Sequence, residues 1–319
     1  AILTGGGDCP GINAVIRAVA KKAMLELGAE VFGIEDGFEG LVTPKWRPLR
    51  YEDVSGILTL GGTILGTSNK CNPYRLAEGQ GEALRFVDAS RTAIANIERL
   101  GVDCLVCIGG DGTLEIANRL HHDGVPIVGV PKTIDNDLRG TDVTFGFDTA
   151  VSIAARAIDR VHSTAQSHRR AMIVEVMGRT AGWLALYSGV AAGGDVILLP
   201  EIPYEIDSVV RTIEHRHALG KRYTILVVSE GARPKGGDVV VGRIVEGSHE
   251  RVRLGGISYA LGDEIERATR IEVRQVVLGH LQRGGTPTAA DRILATRLGT
   301  ACVAAIDEQR FGRMVAVQG

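Results

Sequence analysis

Aromatic residues make up only 4% of this 319-residue chain, which argues against a stacking platform for nucleic-acid bases. A strong charge of either sign is also missing. The 36 Lys and Arg against 38 Asp and Glu leave a formal charge of -2, so no global basic field advertises a nucleic-acid partner. An anionic ligand would have to be held by local clusters of Arg, Lys and backbone N–H groups. No apolar run reaches the roughly 18 residues of a membrane span. A signal peptide is not expected, because the chain opens on strand-like Ala1-Ile-Leu. Cysteine is confined to positions 9, 71, 104, 107 and 302, an odd number with scattered spacing. Cys104 and Cys107 form a C-x-x-C, but no second Cys or His pair follows at metal spacing. They lie in the apolar run Val102–Ile108 and read as small core residues. Reduced thiols fit a cytoplasmic protein.

Apolar residues reach 45% and charged ones 23%, the balance of an ordinary globular protein with material for more than one core. The length suggests two domains, or one large α/β unit with a lobe. Strands are predicted at Ala1–Thr4, Glu30–Ile34, Cys104–Ile108, Pro126–Val130, Ala171–Val176, Val196–Leu199, Thr224–Val228 and Arg274–Leu278. Amphipathic helices are predicted at Ile12–Leu27, Glu82–Leu100, Thr113–His121 and Ala150–Ser167. Repeated strand-then-helix order implies a largely parallel sheet covered by helices, and unbroken apolar strands agree with burial on both faces. No low-complexity linker separates two halves, so any domain boundary is compact. Many of the 42 glycines cluster just after predicted strands. Ligands of open α/β sheets bind at the carboxyl ends of the strands, so the glycine loops outline a site as well as a fold.

Four pieces carry chemistry. In Thr4-Gly-Gly-Gly-Asp-Cys-Pro-Gly-Ile-Asn13, glycines between strand and helix let backbone N–H groups approach phosphate oxygens. A purely structural tight turn is the alternative. In Ile108-Gly-Gly-Asp-Gly-Thr113 an acid sits inside a second such loop. A carboxylate beside a phosphate cradle needs a cation between them, which assigns Asp111 to Mg²⁺. A helix-capping Asp is the alternative. In Pro131-Lys-Thr-Ile-Asp-Asn-Asp137 two carboxylates stand two residues apart beside a lysine. If the segment is extended they point to one side, and Asp135 is a candidate base for an attacking hydroxyl. A loop rich in Asx turns is the alternative. The fourth piece is a scatter of cations in Ser167-His-Arg-Arg170, Met177-Gly-Arg179 and Arg274 through Leu278-Gly-His-Leu-Gln-Arg-Gly-Gly285, with Glu230-Gly231 beside them. Together these exceed what a nucleotide needs, which points to a phosphorylated acceptor as well.

The motifs Gly-Gly-Asp-x-Pro-Gly-x-Asn, Gly-Gly-Asp-Gly-Thr, Pro-Lys-Thr-Ile-Asp-Asn-Asp, Met-Gly-Arg and Leu-Gly-His-Leu-Gln-Arg-Gly-Gly, in this order from Ile2 to about Arg297, resemble the 6-phosphofructokinase family. The resemblance implies an α/β fold of two Rossmann-like lobes with largely parallel sheets covered by helices. One lobe, for the nucleotide, would comprise 1–138 plus about 257–304. The other, for the sugar phosphate, would comprise 139–256 plus about 305–319. It implies transfer of a phosphoryl group from ATP-Mg²⁺ to the 1-hydroxyl of fructose 6-phosphate. Asp135 would be the base, with Thr133, Lys132 and Arg179 beside it in the catalytic set. Thr133, Asp137, Met177 and Gly178 would line the acceptor pocket, Glu230 would meet sugar hydroxyls, and His280 and Arg283 would hold the 6-phosphate. Arg170 and Arg274 would complete a neighbouring subunit's site, which implies a homodimer or homotetramer. Gly7, Lys70, Cys71, Gly110, Asp111, Gly112 and Thr113 would surround the nucleotide.

Two positions bear on the donor. Family members that use pyrophosphate typically carry Asp where this chain has Gly112, together with Lys at Lys132, whereas many bacterial ATP enzymes have Gly at both. The sequence is mixed. A carboxylate at 112 would crowd and repel the α-phosphate of a nucleotide, and glycine leaves room for it, so ATP is expected and pyrophosphate is the alternative. Leu65 through Arg75 departs from the common bacterial ATP pattern, leaving Asn69, Lys70 and Arg75 as candidates for the nucleotide contact. Arg17 and Lys21 match basic effector positions of regulated bacterial members, but His162 replaces a further arginine, which implies weak or altered allostery. More distant alternatives are a lipid or NAD kinase, which share the Gly-Gly-Asp-Gly loop, and a sugar-phosphate-binding subunit without turnover.

Overall fold

The computed structural model describes residues 1–79, 81–244 and 252–319. In chain order the first half holds β1 (Ile2–Thr4), α1 (Ile12–Glu26), β2 (Val31–Ile34), α2 (Glu39–Val42), β3 (Trp46–Leu49), β4 (Leu76–Glu78), β5 (Arg85–Val87), α3 (Ser90–Leu100), β6 (Leu105–Gly109), α4 (Asp111–His122), β7 (Ile127–Thr133) and β8 (Phe145–Gly146). The second half holds α5 (Phe147–His168), β9 (Ala171–Val176), α6 (Trp183–Ala191), β10 (Val196–Leu198), α7 (Ile206–Ala218), β11 (Thr224–Ser229), β12 (Val241–Ile244), β13 (Val252–Leu254), α8 (Ile257–Thr269), β14 (Val273–Val277), α9 (Ala289–Asp307) and β15 (Arg313–Met314).

Two mainly parallel sheets form. One runs β15-β7-β6-β1-β2-β3, with β8 attached to β7; the other runs β10-β11-β9-β14. Every residue of β6, β9 and β11 is buried, as unbroken apolar strands require when helices cover both faces. From β1 the chain moves to β2 on one side and later to β6 on the other. Such a reversal leaves a crevice at the carboxyl ends of β1 and β6, where Gly5 N–H donates to Ile108 O at 2.9 Å. In the second sheet the carboxyl ends of β9, β11 and β14 lead into Met177–Arg179, Glu230 and Leu278–Arg283.

Several expectations shift. The helix predicted from Glu82 begins only at Ser90, because Arg85-Phe-Val pairs with Leu76–Glu78 as a hairpin and Asp88 Oδ1 accepts the Ser90 N–H at 2.8 Å, restarting the chain as a helix. The helix after the second glycine loop starts at Asp111 rather than Thr113. The strand predicted to stop at Val130 runs on through Thr133, where Lys132 and Thr133 pair with β8. Segments 257–277 join the second sheet: α8 lies in the core of β9, β11 and β14. At the other extreme, Arg313–Met314 pairs with β7 of the first sheet, while α9 packs on α1 of the same lobe. This placement of α8, β14 and β15 differs from the expected division of the lobes. Cys104 and Cys107 belong to two different cores, on opposite faces of the first sheet, as an odd spacing in a strand demands. They cannot converge on one ion.

The pairing of α1 with α9 holds the first lobe together from outside. Gly299 allows backbone-close contact: an added Cβ would lie 2.7 Å from Ala18 Cβ and 3.0 Å from Val15 O. Glycine in a helix interior costs about 1 kcal/mol of propensity, so close packing must return more than that. Gly299→Val is expected to lower stability by about 1–3 kcal/mol through overpacking, read as a lower urea midpoint at unchanged slope. A midpoint equal to or above the parent's would refute this close-packing role.

Candidate active site

The carboxyl ends of both sheets open on one cleft with an empty volume of about 1000 Å³, its open mouth included. The first wall is the loop after β1, with Gly6, Gly7, Asp8 and Cys9. The second is the first turn of α4, where Gly110, Asp111, Gly112 and Thr113 line the cleft. Within the helix the earliest backbone bond donated is from Leu114 N–H to Gly110 O, so the N–H groups of 111–113 carry no intrahelical partner and form an anion-binding end. Asp111 stands in that turn, where the helix dipole favours a negative charge. Burial, and next the charge of Asp137, nevertheless push its carboxyl above the usual range. A pair of carboxylates so placed fits a divalent cation shared with phosphate oxygens and water, rather than an all-protein cage.

The third wall is the end of β7 and the turn after it: Lys132, Thr133, Ile134, Asp135 and Asp137. Lys132 is buried, 5% exposed, and its ammonium donates to the Gly7 carbonyl across the width of β6. Burial depresses its pKa. The segment turns rather than running extended. Asn136 has φ 51°, Asp135 N–H donates to Thr133 Oγ1 at 3.0 Å, and the Thr133 hydroxyl donates to Asp137 Oδ1 at 3.2 Å. Thr144 N–H and hydroxyl both reach Asn136 Oδ1, at 2.9 and 3.2 Å. Asparagine tolerates the left-handed region and bonds its own backbone surroundings, so it turns the chain here. The two carboxylates differ in exposure: Asp137 is exposed and Asp135 is half-buried. Asp135 Oδ1 has no hydrogen-bond partner among the described residues. Burial, reinforced by the nearby Asp137 charge, pushes the Asp135 carboxyl up to about 6, against the pull of Arg283, Arg179 and Lys132.

Cations close the cleft. Arg179 sits at φ 52°, a strained conformation for a residue with a side chain, and its N–H donates to Glu230 Oε1 at 3.1 Å. Burial raises the Glu230 carboxyl to about 7. Arg283 presses so closely on the loop after β1 that any side chain at Gly7 would collide with its guanidinium. Gln282 beside it is fully buried and accepts the Met177 N–H at 2.9 Å, which ties the segment after β14 to the end of β9.

A phosphofructokinase family model matches residues 1–306. The chain belongs to the phosphofructokinase family. The ATP-dependent 6-phosphofructokinase 2 of Clostridium perfringens is 52% identical over 322 residues, covering all of this chain and 88% of that protein. The pyrophosphate–fructose 6-phosphate 1-phosphotransferase of Amycolatopsis methanolica is 53% identical over 319 residues, covering all of this chain and 90% of that one. Among solved structures, the phosphofructokinase of Saccharomyces cerevisiae superimposes with a TM-score of 0.81 at 33% identity over 96% of this chain, which spans 41% of that larger chain.

Of the positions singled out from the family resemblance, Gly7, Cys71, Gly110, Asp111, Gly112, Thr113, Lys132, Thr133, Asp135, Asp137, Arg179 and Arg283 line the one cleft. Lys70 lines an adjoining shallower pocket, and Asn69 lines both. Arg75 instead stacks on Phe86, 4.3 Å from the ring centroid. Met177, Gly178 and Glu230 do not line the cleft; the first two precede Arg179 in the chain, and Glu230 accepts the Arg179 N–H. His280 is exposed and does not line the cleft. Arg170 and Arg274 sit at the opposite end of β9 and β14, both paired with Glu272. The six residues of β9 put Arg170 about 20 Å from the Met177 end. Lys21 donates to Ser55 Oγ at 3.1 Å and covers the Tyr51 ring, while His162 Nε2 lies 2.8 Å from Ala192 O. The cleft also includes Phe38, Ser68, Asn72, Ile116 and Arg253, which sequence reasoning did not single out. Phe38 follows β2 in the glycine-containing loop 35–38, while Ser68, Asn72, Ile116 and Arg253 stand outside any glycine loop at a strand end.

The elevated Asp135 pKa works against folding. Between about pH 4, where an unfolded Asp titrates, and about pH 6 the folded state binds the extra proton, so stability falls as pH rises and the penalty is complete above 6. Asp135→Asn removes the charge at similar shape. Its thermal midpoint is expected to exceed the parent's at pH 8, with the gap closing below about pH 4. A midpoint at or below the parent's at pH 8 would refute the assignment of strain to this carboxylate.

Proposed function

We propose that this enzyme transfers the γ-phosphoryl group of ATP to the 1-hydroxyl of fructose 6-phosphate, giving fructose 1,6-bisphosphate and ADP, a glycolytic step. The observation that carries the reading is Asp135. It is a carboxylate with one oxygen unpartnered among the described residues, raised to about 6, facing a cleft walled by two phosphate-cradling glycine loops. A general base works best with a pKa near the working pH, and this one is poised there. In the step, Asp135 takes the proton of the sugar hydroxyl as its oxygen forms a bond to the γ-phosphorus. The bond from that phosphorus to the bridging oxygen breaks, and ADP leaves with the electron pair.

The transferring group spreads negative charge over its oxygens, and catalysis is positioning plus electrostatics. Lys132 and Arg179 supply fixed positive charge on the cleft wall, and Thr133 shapes the Asp135 turn through its hydroxyl. Asp111 would hold Mg²⁺, which when bound neutralises phosphate charge. Gly7, Gly110, Gly112 and Thr113 would cradle the nucleotide phosphates, with Cys71 toward its other end and Lys70 near the mouth. Asp137 and Arg283, with Met177, Gly178 and Glu230 next to Arg179, would serve the acceptor, whereas His280 is exposed and lies outside the cleft lining. Neither Arg170 nor Arg274 lines this chain's own cleft, which supports a homodimer or homotetramer in which they complete a neighbour's site. Five buried free cysteines support a cytoplasmic setting.

The identity to relatives named for ATP and for pyrophosphate is nearly equal, 52% against 53%, so it does not choose the donor. Gly112 favours ATP. It lies at the second position of α4 and lines the cleft, and the absence of a side chain would leave room there for an α-phosphate. Lys132 favours the second reading, pyrophosphate, because it is the residue typical of pyrophosphate users, yet its charge serves either donor.

Steady-state assays with ATP and with pyrophosphate are expected to give turnover with ATP; activity with pyrophosphate alone would overturn the donor assignment. Replacing the base, Asp135→Ser, should lower kcat by about 10²–10⁴ with KM values largely kept. In the parent, kcat/KM should fall as pH drops through about 6, as the carboxylate protonates. Unchanged turnover in the variant, or a profile flat from pH 5 to 8, would exclude Asp135 as the base.

A further inference from the structure

Strands β12 and β13 pair antiparallel, Val241 opposite Leu254 and Ile244 opposite Val252, and belong to neither large sheet. All four residues of β12 are exposed, so this hairpin is not built to fill a core. Its foot is nevertheless held firmly. Gly255 and Gly256 turn the chain at φ 139° and 93°, and Gly255 N–H donates to Val240 O at 3.4 Å. The Glu175 carboxylate, 2% exposed in β9, accepts Gly256 N–H at 2.9 Å, Ser258 N–H at 3.0 Å and the Ser258 hydroxyl at 2.6 Å. Glu175 lies two residues before Met177 on the same chain segment that delivers Arg179. A buried carboxylate with three donors fixes the hairpin relative to the Met177–Arg179 turn.

What the hairpin brings to the cleft is Arg253, which lines it together with Asp135, Arg179 and Arg283. Arg253 is half-buried and lines the cleft among its charged groups. Four carboxylates line the cleft, Asp8, Asp111, Asp135 and Asp137, against Lys132, Arg179, Arg283 and Arg253. Two phosphorylated substrates would add several negative charges to that balance. A planar, permanently charged fork suits phosphate oxygens. On the phosphoryl-transfer reading above, we infer that Arg253 is a further substrate-binding residue that grips phosphate oxygens in this cleft, delivered by a hairpin anchored through Glu175.

The test compares Arg253→Ala, Arg253→Lys and the parent in steady-state kinetics with each substrate varied, together with thermal midpoints. Loss of one charge-assisted contact should lower kcat/KM by about 10–100-fold in the alanine variant, with partial recovery in the lysine variant and an unchanged midpoint. A rise confined to the KM of fructose 6-phosphate places the contact on the sugar phosphate, and one confined to ATP places it on the donor. Calorimetric titration with each substrate reads the same contact without turnover, so a parent that binds both but does not react would fault the phosphoryl-transfer reading while leaving Arg253 tested. Binding and kinetics within twofold of the parent would overturn the inference. So would equal loss in both variants with a lowered midpoint, which would mark a structural arginine.

Discussion

Lys132 carries a charge into a place that little water reaches, and the cleft is arranged around that fact. An ammonium cannot be buried without partners, and the partners it finds are the carbonyl of Gly7 and the nearby Asp135 carboxylate. The carbonyl belongs to the loop after β1, whereas the lysine ends β7, with β6 between them. The contact therefore holds the first phosphate loop against the turn that carries the candidate base. Arg283 reaches the same loop from the second sheet. Without the lysine, the loop would lose its inner brace and Asp135 one of the three charges that oppose its protonation.

The fold was legible because its signals are local and repeated. Apolar runs such as Ala171–Val176 and Leu105–Ile108 are followed by glycine and then by helical periodicity, and each became a buried parallel strand. The phosphate loops were legible for the same reason, since Gly5–Gly7 and Gly109–Gly112 sit where strand carboxyl ends must be. What could not be read depends on partners distant in sequence. The strand Arg85–Val87 is fixed by its antiparallel pairing with Leu76–Glu78, a partner that the local helical pattern does not show. The turn at Asn136 takes its shape from Thr133 and Thr144, which a local reading of Thr133–Asp137 leaves open. Arg253 has no motif at all, and only the anchoring of its hairpin to Glu175 reveals where it points.

The second sheet contributes differently from the first. The first supplies the N–H groups of the α4 turn together with the side chains of Asp111, Lys132 and Asp135. The second supplies side chains and bends, through Arg179 in a strained conformation, Glu230 accepting its N–H, and Gln282 binding the Met177 backbone. Backbone donors suit a nucleotide phosphate of fixed geometry. Side chains, with more reach, suit an acceptor that must be brought to within bonding distance of it. Strain at Arg179 is affordable because β9 behind it is buried along its whole length and cannot shift.

The position of Asp135 between these two sources decides how well it can act. Burial alone would drive a carboxyl well above neutrality, as it does for isolated buried acids, and a base protonated at the working pH is no base. Full solvation would return it to the ordinary range, leaving a carboxylate too weak to pull a proton from an alcohol. The cleft holds it between these limits, at about 6, because burial and Asp137 raise it while Arg283, Arg179 and Lys132 lower it. Those same three cations line the cleft, so an anion bound among them would weaken their hold on Asp135 and raise its basicity.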